Sequence, residues 1–269
     1  MHLFKSNVLL LSMTALACDA FVAPHVPSNA QWLHNSPTHQ NSFFGFGLDT
    51  KNPTSSSPSS TSNSAKSKAL IEKAKDIIYN KSGFYSPFDS DIFSKEFVFR
   101  GPIIGPLNKK DYLKTMDAFQ VYNAIPDINP NAWGFSIDPQ DDNRVWFMVR
   151  NSGTFTGRAF LPDSLNYEAN GAMIDGCPET FSITFDDDQK MKCLTVGYVA
   201  DRFSGNTKGQ GAAAGIFNAI GLPFPKVGPL LRFAQWFGTE VVDVGLPSYS
   251  AKDVPEWWTD KNVGTGGYL

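Results

Sequence analysis

The sequence predicts an α+β domain in which helices gather on one face of a curved antiparallel sheet. Three observations lead there. Residues 66–80 and 109–123 place apolar side chains at helical spacing. From Trp133 onward the apolar period changes to two, with turn residues between the runs. The order also counts: helices before one strand, then a helix, then a meander. That suits segregated layers rather than alternating strand–helix units.

The chain opens on sequence that is not expected to belong to the domain. Lys5 gives a positive start, Val8 to Ala17 form a short apolar run, and Ala-Cys-Asp-Ala at 17–20 supplies small residues before a cut. The run is too short to span a bilayer. Residues 1–20 therefore read as a signal peptide. The stretch Cys18-Asp19-Ala20-Phe21-Val22-Ala23-Pro24 resembles the cleavage motif of plastid-targeted proteins in algae with secondary plastids, where a phenylalanine follows the cut. Behind Phe21, residues 21–64 are acid-poor and end in a Ser/Thr tract, which cannot bury enough apolar surface to offset its ordering entropy. They are expected to be a disordered, transit-peptide-like segment. The resemblance implies delivery to a plastid (chloroplast); an ordinary secreted protein with a disordered linker is the alternative.

The domain is expected from residue 65. Leu70, Ala74, Ile77 and Ile78 share one face of the first helix. Asp89 or Ser90 caps a short second helix, and Phe97-Val98-Phe99 reads as a strand, broken by Gly101-Pro102 and Gly105-Pro106. Asn108 caps the third helix, which Pro126 ends. Strands follow at 133–137, 145–156, 180–185 and 191–200, the last two joined by Asp186-Asp187-Asp188. Beyond residue 205 come a glycine-rich stretch and a helix over 230–237. These are expected to form an extension, 206–269, packed on the domain.

Composition excludes several functions. With 23 Lys plus Arg against 26 Asp plus Glu, the chain is mildly acidic, which gives no electrostatic reason to bind nucleic acid. All four histidines, His2, His25, His34 and His39, fall in the presequence. The mature domain then has no histidine for a Ser-His-Asp or Cys-His nucleophile, nor for a zinc or non-haem iron site. Only Cys177 and Cys193 remain, too few for a four-cysteine site; they are read as thiols packed as small hydrophobes, with one disulfide as the alternative. No metal and no cofactor is expected. The glycine-rich stretch 201–225 lacks the Gly-Lys-Ser/Thr of a phosphate loop, so its glycines are read as permitting close backbone packing. The 230–237 helix is read as packed on the domain. A peripheral membrane contact is disfavoured because it carries one arginine and no lysine.

Several motifs resemble the nuclear transport factor 2-like (SnoaL-like) superfamily across roughly 66–205. Phe97-Val98-Phe99-Arg100-Gly101-Pro102, then Gly105, then Asp111-Tyr112-Leu113, looks like that family's first strand, glycine turn and long helix. Gly153-Thr154-Phe155-Thr156-Gly157 looks like its Gly-Thr-His-Thr-Gly strand end, and Asp188-Gln189-Lys190-Met191 like its Asp-Gly-Lys-Ile turn. The resemblance extends to uncharacterised plant and algal plastid members. It implies a cone-shaped sheet around an apolar pocket. Gly101 stands where the ketosteroid isomerases of the superfamily have their base, and Phe155 where many members have a histidine.

The resemblance points to Asp201 as the one candidate catalytic acid/base, with Tyr79 or Arg150 as polariser. Tyr79, Tyr112, Met116, Trp133, Trp146, Met148, Arg150 and Tyr198 are candidate pocket residues. On the strand 145–156, Trp146, Met148 and Arg150 share one face, and Val145, Phe147, Val149, Asn151, Gly153 and Phe155 the other; period alone leaves open which faces inward. The expected function is non-catalytic binding of a small hydrophobic molecule or a protein partner in a plastid. The alternative is a cofactor-independent isomerase, cyclase or dehydratase. A homodimer through the sheet face is compatible with either.

Overall fold

A computed structural model describes residues 59–158, 167–222, 229–243 and 245–259. The expected signal peptide, and nearly all of the transit-peptide-like segment, lie outside these residues. Helix α1 spans Ser59–Asp76 and runs into a single π-helical turn, Ile77–Lys81. It begins before the expected boundary at residue 65. The Ser/Thr tract supplies its first turns, where the N–H groups lack intrahelical acceptors and such residues are best tolerated. Leu70, Ala74, Ile77 and Ile78 are buried, as their spacing predicts. Asp89 caps a 3₁₀ turn over Ser90–Ile92, its carboxylate accepting from Asp91 N at 2.9 Å.

Strand β1 (Phe93–Arg100) and the two-residue β2 (Leu107–Asn108) follow. Asn108 caps α2 (Lys109–Phe119), its side chain accepting from Asp111 N at 2.9 Å. That helix stops before the predicted end because Gln120 turns left-handed at φ 38°; a short α3 (Val121–Ala124) completes the run. Strands β3 (Trp133–Asp138) and β4 (Asp141–Val149) form a hairpin, and β7 (Glu179–Phe185) and β8 (Met191–Val199) form another. The strand predicted over 145–156 is in fact two. Its second part, β5 (Ser152–Thr154), leaves the main sheet at Arg150–Asn151 and pairs with β6 (Met173–Asp175).

The main sheet has the order β2-β1-β8-β7-β4-β3. It is mixed, not purely antiparallel as expected, because β1 runs parallel to β8. Ninety residues separate those strands (Phe93–Arg100 and Met191–Val199), so no hairpin turn dictates their relative direction. The register shifts within the β1–β8, β3–β4 and β7–β8 ladders, so none of the three runs as one uninterrupted pairing.

One face of the sheet is apolar. Phe97 and Phe99, Val145, Phe147 and Val149, Phe181, Ile183 and Phe185, and Leu194 and Val196 all point there and pack against α1 and α2. This settles the open parity of β4: the Val145 face is inward. The segment after 205 is more than an appendage. Helix α4 (Ala212–Ala219) puts Ala213, Ile216 and Phe217 into the same core. Helix α5 (Pro229–Glu240) packs on the loop after β1, Gln235 Nε2 donating to Ile103 O at 3.1 Å. The last helical turn, α6 (Glu256–Thr259), covers the outer sheet face, where Trp258 meets Val98 and Cys193. Both thiols are free and buried. Among the described residues, no helix is long and apolar enough to cross a membrane.

The glycine-rich stretch packs closely. A Cβ on Gly205 would stand 2.2 Å from Asp175 O, and one on Gly211 2.5 Å from Gly197 O. Such approaches require glycine, which is the close backbone packing expected of this stretch.

Candidate functional site

Between the inner sheet face and the helices lies a cavity of about 420 Å³. This volume falls within the ordinary range for small-molecule sites. Ile78 from the π-helical turn, Met116 and Phe119 from α2, Phe99 from β1, Phe181 from β7 and Leu194 and Val196 from β8 form its apolar walls. The loop Gly101–Ile104 closes one side, and Gly209–Ala214, leading into α4, another.

The polar groups of the wall are few and mostly engaged. Tyr112 OH donates to Ser82 O at 3.3 Å. Ser82 Oγ accepts from the backbone N–H of Phe84 and Tyr85, at 3.2 and 2.9 Å. Thr115 Oγ1 donates to Pro247 O at 2.6 Å, and Gln210 Oε1 accepts from Asn218 Nδ2 at 2.9 Å. Tyr85 OH donates to Asn151 Oδ1 at 2.6 Å. Burial raises the Tyr112 and Tyr85 phenols above their ordinary range, so both remain neutral donors at any working pH.

A buried carboxylate stands directly behind this wall. Glu179, the first residue of β7, is 1% exposed. Its Oε1 accepts from Asn151 Nδ2 at 3.2 Å and its Oε2 from Ala212 N at 2.8 Å. Desolvation pushes its pKa up to about 7, against the pull of those two hydrogen bonds. Tyr85, Asn151, Glu179 and the Ala212 amide thus form a continuous chain that starts and ends on the cavity wall.

Of the residues predicted from sequence, Tyr112, Met116 and Tyr198 line the cavity. The others are elsewhere. Tyr79 is half exposed, and its hydroxyl accepts from Ala132 N at 2.9 Å. Trp133 is 44% exposed on β3. Trp146 and Met148 lie on the outer sheet face opposite Ser182 and Thr180. There Trp146 Nε1 donates to Asp138 Oδ2 at 2.8 Å, and Met148 Sδ accepts from Thr180 Oγ1 at 3.4 Å. Arg150, on that same outward parity, pairs with Asp175 at 2.9 Å and also donates to Gly176 O.

Asp201 lies past the end of β8, exposed, where it accepts from Phe203 N at 3.0 Å and from the Ser204 hydroxyl. The Ser204 hydroxyl first, and then the Phe203 amide, hold its carboxyl below the usual aspartate range. That is the opposite of what a dry acid/base in a pocket requires. Arg202 is not its partner; the guanidinium stacks over Phe203, 5.0 Å from the ring centre. Register placed Asp201 near the strand end, but a local turn claims its side chain.

Sequence reasoning missed Tyr85, Asn151 and Glu179. Glu179 did leave a signal: it occupies the same parity as Phe181, Ile183 and Phe185, an acid on an apolar stripe. Tyr85 left none, since it sits in an aperiodic loop.

No family model matches the chain, and no curated protein matches it. Among solved structures the chain is similar to a candidate SnoaL-like polyketide cyclase from Jannaschia, at 12% identity over 64% of this chain and 100% of that one, with a TM-score of 0.42. It is similar to a phenazine biosynthesis-related protein from Pseudomonas aeruginosa, at 13% identity over 66% and 93% of the two chains, TM-score 0.36. It is also similar to a nuclear transport factor 2-like protein from Anabaena variabilis, at 14% identity over 51% and 92%, TM-score 0.35.

Proposed function

We propose that this domain binds one small, predominantly apolar molecule in the cavity and does not transform it. The observation that carries the reading is the wall itself. It is apolar over most of its area, and the hydrogen-bonding groups of Ser82, Tyr85, Tyr112 and Thr115 are turned to protein partners rather than to the empty volume. A site built for chemistry presents unengaged donors, acceptors or bases to its substrate. The neutral fluorophore N-phenylnaphthylamine tests it. The full chain is expected to bind it and brighten it, and Val196→Trp, which fills the cavity from β8, is expected to abolish the signal while the protein still melts cooperatively. Saturable binding that survives Val196→Trp in a folded protein sinks the proposal.

A second reading, a cofactor-independent isomerase, cyclase or dehydratase, is favoured by one observation: the Tyr85–Asn151–Glu179 chain links a buried carboxylate to a hydroxyl on the wall. In that reading Tyr85 touches substrate and Glu179 is a positioning residue behind it. Native mass spectrometry of protein taken from its own cells returns the bound molecule. Conversion of that molecule by wild type and not by Tyr85→Phe supports catalysis; no change in mass or isomer content supports the binding reading.

The cellular place proposed is the plastid, on the strength of the signal-type run, Phe21 and the acid-poor Ser/Thr tract. A fluorescent protein fused behind residues 1–64 is expected in the plastid. Secretion of that fusion rejects the proposal.

A further inference from the structure

The proton order of the chain behind the cavity wall is set at its buried end. Glu179 Oε2 accepts from the Ala212 amide at 2.8 Å, and a backbone N–H can only donate. An ionised carboxylate has acceptors alone, so Oε1 must also be met by a donor. Asn151 meets it with Nδ2, at 3.2 Å. The other arm of that amide, Oδ1, is thereby turned to Tyr85, and an amide oxygen only accepts. The Tyr85 hydroxyl therefore donates to it, at 2.6 Å. Its proton is spent, and the phenol oxygen is left with acceptor capacity alone.

This matters because of where the chain meets the cavity. Of its three side chains only Tyr85 lines the cavity and keeps accessible surface; Asn151 is 2% exposed and Glu179 1%. Tyr112 and Thr115 also give their protons to protein carbonyls, but each is 2% exposed and offers an occupant little. Among the described residues, those that line the cavity include no lysine, arginine, aspartate or glutamate. An ion would thus leave water without finding an opposite charge on the wall. An uncharged occupant that carries a hydroxyl fares differently. At Tyr85 it regains the hydrogen bond its proton gives up in water. A carbonyl in the same place sets lone pair against lone pair and regains nothing.

We propose, on the basis of the cavity-binding reading above, that the ligand is a neutral molecule with an apolar body and one hydroxyl, whose proton the Tyr85 phenol oxygen accepts. Glu179 is the positioning residue that fixes this preference through Asn151. The probes are 2-decanol and 2-decanone, which share a skeleton and differ in whether the oxygen carries a proton. Each is titrated against N-phenylnaphthylamine on the full chain at pH 8, above the value of about 7 to which burial raises Glu179. Wild type is expected to take the alcohol about tenfold more tightly than the ketone, a difference of about 1.4 kcal/mol. Two variants are expected to erase the preference from opposite sides. Tyr85→Phe removes the acceptor and weakens the alcohol alone. Glu179→Gln puts an amide donor against Asn151, which turns about and donates to Tyr85; the freed phenol proton then tightens the ketone and leaves the alcohol where it was. Each variant is read if it melts cooperatively. Equal binding of the two probes to wild type, as when the ketone finds a donor elsewhere on the wall, overturns the inference and leaves the apolar cavity standing. A preference for the alcohol that persists in either folded variant also overturns it. Failure of both probes to compete rejects the cavity reading, and the hydroxyl assignment with it.

Discussion

Replacing Glu179 with glutamine takes a buried titration out of the fold. In the unfolded chain this carboxyl has its ordinary pKa of 4.5; in the folded protein desolvation raises it to about 7. Between those values the folded state holds more protons than the unfolded state, so stability falls as pH rises through the window and levels off above it. The separation corresponds to a loss of about 2 to 3 kcal/mol between pH 5 and pH 8. The window is clean among the described residues. All four histidines lie at or before position 39, and burial moves the Cys177 and Cys193 thiols further up, not down. The carboxyls of Asp76 and Asp138 are held low, so they act below this range. Glutamine imitates the protonated acid: its oxygen keeps the Ala212 N–H, and its amide faces Asn151. Asn151 must then turn its own carbonyl towards residue 179 and give up accepting from Tyr85, a rearrangement costing about 1 kcal/mol. Urea unfolding at half-unit steps from pH 5 to pH 8 reads the outcome. Wild type is expected to lose stability across the series, and Glu179→Gln to stay level and to equal or exceed wild type at pH 8. A flat wild-type profile, or an unchanged slope in the variant, refutes the account of Glu179.

Two further outcomes follow from the geometry. Gly157→Ala places a Cβ 2.0 Å from Asn123 O and 2.9 Å from Ala124 O, both backbone atoms that cannot step aside, and is expected to destabilise by more than about 2 kcal/mol in chemical unfolding; a change near zero would mean that the 123–157 contact is not formed. Asp201→Asn is expected to leave N-phenylnaphthylamine affinity unchanged, because the carboxylate is exposed and bound to its own turn; a clear loss of affinity with normal melting would restore it to the site.

The parts of this fold that were legible in sequence are those set by local period and local chemistry. Leu70, Ala74, Ile77 and Ile78 announced their helix face, Asn108 its cap, and Asp186-Asp187-Asp188 the hairpin between β7 and β8. Events decided by distant chain were not legible. The strand over 145–156 keeps its alternation through residue 155, yet Asn151 turns away because its side chain is tied to Tyr85 and Glu179, and Gly153 lies against Ile125. The direction of β1 beside β8 has no local determinant at all. The cavity shows the same division. Tyr112, Met116 and Tyr198 were found because aromatic and apolar residues on predicted elements tend to face a core. Glu179 is legible as an acid in an apolar register, whereas Asp201 stands out by resemblance alone and has no such apolar register around it.

The placement of β1 carries a consequence for how the chain acquires its fold. One edge of this early strand is sealed by β8, its outer face by Trp258, and its following loop by Ser248 O, which accepts from Gly105 N. During synthesis, the first strand to emerge therefore waits for residues 191–199 to arrive, and for the last turn of helix to follow, before either its hydrogen bonds or its side chains are satisfied. Contacts of such long sequence separation slow folding, because a long loop must close before they yield anything. Until then Phe97, Val98 and Phe99 form an exposed apolar segment with an open edge, the kind of surface that associates with other chains. The protein's most vulnerable interval thus opens when β1 is made and lasts until residues 191–199 and then 256–259 have followed it.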